Sequence, residues 1–362
     1  QELAKLGRFG DAIAKCREFR SKFGAMDAVK ARDADDLERQ LEKDAGRWLG
    51  MRISRAYEKA EQGTMFQASK ILTNAAKDIG GKMKAFSALR PKDLAPNPPA
   101  IAERSTGLTM GGSAEIMAKQ NGISREEQDA FALRSHQKAS EAWESGIFDD
   151  EVMPFPVGPD YRRTVSRDNL PRPDTSLEAL AGLKPVFDRK YGTITAGNSS
   201  PLTDGASAIV LMEEKTAERL GLVPRAFIRS WAFTALDPNW QLLMGPSLAT
   251  PIALDKAGLN LDDIDVIDMH EAFAAQVLSN TQAFASAEFA NKRLGRVEAI
   301  GEISDDTFNL YGGSISLGHP FGATGARQIT TMANELARRD GGTALVTQCA
   351  AGGLGAAVVL ER

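Results

Sequence analysis

The chain carries only three histidines and two cysteines in 362 residues, and aromatic side chains make up 7% of it. Two cysteines cannot build a disulfide scaffold; they fit a reducing compartment in which thiols stay available for chemistry. No cluster of these few ligands has zinc-like spacing, which argues against a metal centre. No stretch approaches the about 18 consecutive apolar residues that a membrane span needs, and no signal-peptide pattern opens the chain. A net charge of -4 gives no basis for broad nucleic-acid binding.

What is there describes an α/β protein. Hydrophobic residues make up 43%, charged residues 25%, and there are 33 glycines. The length predicts two or more structural units and a sizeable core. With Gln1 rather than Met at its head, the chain reads as a fragment or a processed form.

Residues 1–50 mix acidic and basic side chains with few β-branched residues and read as helices. Residues 52–92 hold nine basic against three acidic side chains, with Met65, Phe66, Ile71, Leu72 and Ile79 at helical spacing and Lys70 and Lys77 on another face. This basic amphipathic stretch reads either as a membrane-surface or partner-docking element or as a solvated face. The Pro-rich run Pro91 to Pro99 ends it. Ser124-Arg125-Glu126-Glu127 matches a capping box and predicts a helix to about Ser145, with His136 inside it as a structural residue.

From Gly192 the pattern turns to alternating elements. Ala208 to Met212 reads as a buried strand, followed by a helix stopped at Gly221. Strands are predicted at 225–234, 264–269, 343–347 and 356–360, with helices at 250–257, from Glu271, and at 323–339. This alternation of helices and strands, closed by two consecutive strands, predicts helices layered on a mixed sheet.

Three short stretches concentrate the scarce reactive residues: Asp268 to Phe273 around His270, Gly318 to Gly325 around His319, and Cys349 to Gly353. His270 follows a predicted strand, where open α/β sheets place ligand contacts. His319 precedes a glycine-rich helix start, which aims an imidazole and backbone N–H groups at developing negative charge. Cys349 ends a strand beside small residues that leave room for a substrate, and a thiol near two histidines suits acid–base cycling. Gly353-Leu354-Gly355 is not the dinucleotide fingerprint, because the third glycine and the helix are missing.

The stretches His270 to Gln276, Gly312 to Arg327 and Cys349 to Gly355 resemble the C-terminal signatures of thiolases. The likeness is greatest to the β-subunits of the fatty-acid β-oxidation trifunctional complex, which have His where many thiolases have Asn before Glu-Ala-Phe. It extends over residues 56–362, through Met110-Gly111, Thr195 to Asn198, Asp204 to Ala206 and Arg229 to Ala232.

The resemblance implies a layered α/β thiolase fold. Its parts are a helical segment at 1–50, a helical loop domain at 51–190 that includes the basic helix, the remnant of an incomplete N-terminal thiolase domain at 191–222, and a complete C-terminal thiolase domain at 223–362. It implies thiolysis of 3-ketoacyl-CoA, with coenzyme A as substrate and no bound cofactor or metal. His319 would activate a nucleophilic thiol, His270 would hold the thioester oxygen, and Cys349 would protonate the departing enolate. The Ala351 amide would form a second oxyanion hole with the nucleophile's own amide, Gly352 would be an oxyanion or substrate-binding residue beside it, and Ser230, Met110, Ala272 and Phe273 would line the CoA site.

The family's N-terminal nucleophile turn has no counterpart in this sequence. Cys16, among Lys15, Arg17 and Glu18, reads as a residue of a charged helix. A non-catalytic CoA-binding or assembly subunit therefore stands as the alternative. The resemblance also implies a homodimer, acyl-CoA substrates and a hydratase-dehydrogenase α-subunit as partner. The location it suggests is the cytoplasm, with or without peripheral membrane contact, or the mitochondrial matrix.

Overall fold

The computed structural model describes residues 102–362, which fall within one compact unit. The expectations for residues 1–50, for the basic helix with Lys70 and Lys77, and for Cys16 lie outside the described residues.

Helix α1 (Met110–Asn121) starts at Thr109, whose hydroxyl accepts from the Gly112 amide, and stops at Gly122 with φ 67°. Helix α2 (Arg125–Glu144) carries the predicted capping box in full: Ser124 accepts from the Glu127 amide, and Glu127 reaches back to the Ser124 amide. A small hairpin pairs β1 (Phe155–Val157) with β2 (Arg163–Val165). Two short helices follow, α3 (Leu177–Ala181) and α4 (Glu214–Leu220), and α4 stops at Gly221 as expected.

The remainder builds one four-stranded sheet. Its strands are β3 (Phe227–Ala235), β4 (Val266–Met269), β5 (Thr343–Ala350) and β6 (Leu354–Glu361), in the order β3-β6-β5-β4. β4 and β5 run parallel while β6 is antiparallel to both neighbours, so the sheet is mixed. The intervening helices are α5 (Gly245–Ala257), α6 (Ala274–Phe284), α7 (Ser314–Leu317) and α8 (Thr324–Arg339).

Alternation along the strands sorts the two faces. Ile267, Leu345, Ala357 and Val359 join Ala249, Ala253 and Leu254 of α5 in one apolar cluster. Val266, Ala344, Val346 and Leu360 meet Met332 and Leu336 of α8 in another. Helices thus cover both faces, the arrangement that parallel pairing between β4 and β5 requires. Close approach of α5 to the sheet rests on glycine. A Cβ on Gly245 would lie 2.5 Å from the Leu354 carbonyl oxygen, and one on Gly355 would lie 2.4 Å from the Gly245 oxygen.

One expectation fails. Residues 208–212 form no strand, and Val210 and Leu211 are 80% and 69% exposed. A continuous apolar run signals burial, but a strand also needs a ladder partner, and no strand among the described residues pairs with this run. The outer face of β3 is similarly open, at Trp231 and Phe233.

Candidate active site

The parallel pair β4 and β5 sets the site. In their register Asp268 faces Val346 and Met269 faces Thr347, and the His270 amide donates to the Thr347 carbonyl at 2.9 Å. His270 therefore leaves the sheet at the same end as Cys349, two residues further along β5. This is where open α/β sheets gather ligand-binding groups.

His319 comes to this end from a loop. Its amide donates to the Pro201 carbonyl at 3.1 Å, and its ring centroid lies 4.2 Å from that of His270 at an interplanar angle of 42°. The sequence placed these residues 49 positions apart, and the structure makes them neighbours. The Phe321 ring also packs against that of His319, with centroids 4.9 Å apart. An open cleft of about 430 Å³ between residues 203–207 and 320–323 borders the turn that follows His319.

Burial governs the protonation of both rings. His270 is buried, and desolvation drives its pKa well below the ordinary histidine value, with the charges of His319 and Arg327 adding to the effect. His319 is half-buried and is lowered to about 4 by desolvation, then by Arg327. At neutral pH both are uncharged imidazoles, and each offers one N–H and one lone pair. His270 Nδ1 lies 2.8 Å from the Ser314 hydroxyl, and His319 Nδ1 lies 2.8 Å from the Thr324 hydroxyl.

Glu271 is fully buried directly beside His270. Its carboxyl accepts from the Ser135 hydroxyl at 2.7 Å, the Asn309 amide nitrogen at 2.8 Å and the Ile315 amide at 3.2 Å. Burial raises its pKa, and these three donors oppose the rise. The network ties α2, the loop at Asn309 and the start of α7 to the segment that leaves β4. It also requires Gly313, where a Cβ would stand 2.3 Å from the Glu271 carboxyl carbon.

Cys349 is a buried free thiol, and desolvation pushes its pKa up to about 12. At rest it is therefore an S–H and not a thiolate, which suits it to give a proton. Its neighbours form one apolar cluster that includes Met117, Leu242, Met244 and Phe273, with Met110 and Ala272 packed against it. The structure thus gathers Met110, Ala272, Phe273 and Cys349 at one place. Ser230 lies elsewhere: it is buried in β3 under α5, and its hydroxyl donates to the Ala253 carbonyl at 2.6 Å. Ala351 and Gly352 occupy the exposed turn between β5 and β6, where Gly352 has φ 83°.

His136 has the structural role read from the sequence. It is buried in α2, its Nδ1 accepts from the Arg172 amide at 3.4 Å, and burial lowers its pKa to about 4. Sequence reasoning missed Ser135, Asn309, Ser314, Thr324 and Arg327. Thr324 lies inside the glycine-rich motif that follows His319, the one signal that pointed to it. Among the described residues no group of acidic, histidine and cysteine side chains has the proximity needed to hold a metal ion.

Comparison with known proteins agrees along most of the chain. The family model for the thiolase N-terminal domain matches residues 67–215, and that for the thiolase C-terminal domain matches residues 222–362. A 3-ketoacyl-CoA thiolase of Serratia proteamaculans is 58% identical over 288 residues, which are 80% of this chain and 66% of that protein. The chain thus spans just under two thirds of that relative's length. Among solved structures, the acetyl-CoA acetyltransferase of Bacillus anthracis aligns with a TM-score of 0.63 at 37% identity, over 72% of this chain and 62% of that one. Human mitochondrial 3-ketoacyl-CoA thiolase in complex with CoA aligns with a TM-score of 0.63 at 35% identity, over 72% and 61%.

Proposed function

Since this chain belongs to the thiolase family, we propose that it serves the cleavage of 3-ketoacyl-CoA by coenzyme A, giving acetyl-CoA and a shortened acyl-CoA. The observation that carries this reading is the pair of uncharged imidazoles, His270 and His319, at the sheet end where Cys349 also emerges. Two groups that each offer a lone pair and an N–H, beside a protonated thiol, suit carbon–carbon cleavage next to a thioester.

In this reading a thiolate supplied from outside the described residues attacks the C3 carbonyl of the substrate, and His319 holds that thiol's proton until the nucleophile takes it back. The C2–C3 bond breaks, its electron pair moves to C2, and the thioester oxygen of the forming acetyl-CoA enolate is held by a histidine N–H from His270. The Cys349 S–H gives its proton to C2. Coenzyme A then takes the acyl group from the nucleophile, and its thiol proton restores Cys349. Met110, Ala272 and Phe273 are the proposed apolar contacts for the acyl-CoA, the Ala351 amide with the nucleophile's own amide the proposed second oxyanion hole, and Gly352 a proposed oxyanion or substrate-binding residue.

A second reading is a CoA-binding or assembly subunit without turnover. It is favoured by one fact: the sequence holds only one cysteine besides Cys349, and that residue, Cys16, sits in a charged stretch unlike a nucleophile turn. Thiolysis assays with acetoacetyl-CoA and a longer 3-ketoacyl-CoA separate the readings, because turnover by the chain alone eliminates the second. Deuterium exchange into acetyl-CoA without thiolysis, lost in Cys349→Ser, assigns the proton-transfer half-reaction to this chain. Neither activity, with CoA binding retained, leaves the binding subunit.

We propose further a homodimer, a hydratase-dehydrogenase α-subunit as partner, and a cytoplasmic location, with or without peripheral membrane contact, the mitochondrial matrix being the alternative. The support for membrane contact is the basic stretch around Lys70 and Lys77. Changing both lysines to Glu should weaken binding to anionic vesicles, and unchanged binding would reduce the stretch to a solvated face.

A further inference from the structure

We propose that Ser314 and Thr324 are positioning residues that hold the two neighbouring histidines in opposite tautomers, making His270 a donor and His319 an acceptor toward the same space. A neutral imidazole carries its proton on one nitrogen, and the partner of Nδ1 decides which. Both Nδ1 atoms face a hydroxyl at 2.8 Å, yet the two hydroxyls have different alternatives.

Ser314 is fully buried, and His270 Nδ1 is the only acceptor its hydroxyl reaches among the described residues. If His270 carried its proton on Nδ1, it would donate to the Ser314 oxygen, and the Ser314 O–H would be buried with no acceptor among the described residues. Folded proteins avoid that state. Ser314 therefore donates to Nδ1, and the His270 proton stays on Nε2.

Thr324 is equally buried but has a second outlet, because its hydroxyl also reaches the Pro320 carbonyl at 3.5 Å. It can accept from His319 Nδ1–H while its own proton goes to Pro320. That arrangement leaves His319 Nε2 with a free lone pair. Thr324 is the first residue of α8, so the same helix start that turns the chain after His319 also orients its ring.

Two histidines 4.2 Å apart would otherwise be chemically alike. With opposite tautomers one offers an N–H to an oxygen that gains charge, while the other holds a lone pair ready to take a proton from a thiol, and both are uncharged in the resting protein. The purpose of this division rests on the proposed thiolase chemistry. The tautomers themselves are a property of the resting protein and are testable without turnover.

The experiment is two-bond ¹H–¹⁵N correlation NMR on the full chain with ¹⁵N-labelled histidine at neutral pH. Only three histidines contribute, and His136 serves as an internal control for folding. Expected are a protonated, pyrrole-type Nε2 and a pyridine-type Nδ1 for His270, with the reverse pattern for His319. Ser314→Ala should lose the fixed pattern of His270 alone, and Thr324→Val that of His319 alone. Thr324→Ser, which keeps the hydroxyl, should restore it. Where exchange into acetyl-CoA is measurable, Ser314→Ala should slow it roughly 10–100-fold, taking as a guide the scale for orienting partners of metal-bound histidines. One shared tautomer in the native protein, the reverse assignment, or unaltered patterns in folded Ser314→Ala and Thr324→Val would overturn the proposal. Failure of thiolysis with the opposite tautomers intact would count against the proposed function and leave this inference standing.

Discussion

Arg327 on α8 donates to the Asp268 carboxylate at 3.1 Å, and the Gln328 side chain donates to the other oxygen of the same carboxylate at 2.7 Å. Asp268 lies two residues before His270, on the sheet face that α8 covers. One helix thus grips the strand that presents His270 and, through Thr324, the ring of His319. Arg327→Met would leave a buried carboxylate without its counter-charge. We expect a loss of about 2–4 kcal/mol, below the full range for a deeply buried pair because the Arg327 side chain is 24% exposed. Urea unfolding measures it, and the double variant with Asp268→Asn should regain part of the loss. Removing this positive charge should also raise the pKa of His319. A loss under about 1 kcal/mol with an unshifted His319 would contradict this account.

His136 sets a pH dependence with a definite sign. Its folded pKa of about 4 lies below the ordinary value of 6.5. Above pH 6.5 neither state binds the proton. Between 6.5 and 4 the unfolded chain takes it up and the folded one does not, so stability falls as pH falls through that window. His136→Gln cannot titrate but can still accept from the Arg172 amide. It should flatten the acid arm of a plot of urea midpoint against pH, and an unchanged slope would show that His136 charges in the folded state.

Cys349 should resist alkylation in the folded protein. With its pKa pushed up to about 12, the thiolate at pH 8 is roughly a thousandfold scarcer than for an ordinary cysteine. Peptide mapping after iodoacetamide should find Cys349 unmodified in the native protein and modified in denaturant. Rapid native modification would mean that the thiol is neither buried nor protonated as described.

The open run at 208–212 and the sheet core should respond differently to truncation. Val210→Thr and Leu211→Ser, at largely exposed positions, should change stability by under about 0.5 kcal/mol. Leu345→Ala in the middle of β5 should cost about 2–5 kcal/mol. Comparable losses at both places would show that the run is packed in solution.

The sequence by itself determined what is local. Ser124 and Glu127 specify their capping box through three residues of spacing, and Gly221 and Gly258 stop α4 and α5 because they adopt positive φ at no steric cost. The strand at 264–269 was legible in the same way, and so were the three motifs around His270, His319 and Cys349. Tertiary structure alone decided what depends on partners distant in the chain. The run at 208–212 has the composition of a buried strand and is exposed, because no residue pattern within it can supply a neighbouring ladder. Ser230 sits in a recognisable motif, yet its hydroxyl is bonded to a helix that sequence spacing could not place over it. The electrostatic state of the site is also decided there. Burial and the Arg327 charge keep both histidines neutral, and burial keeps Cys349 protonated, because desolvation is a property of the packed surroundings and not of the residue.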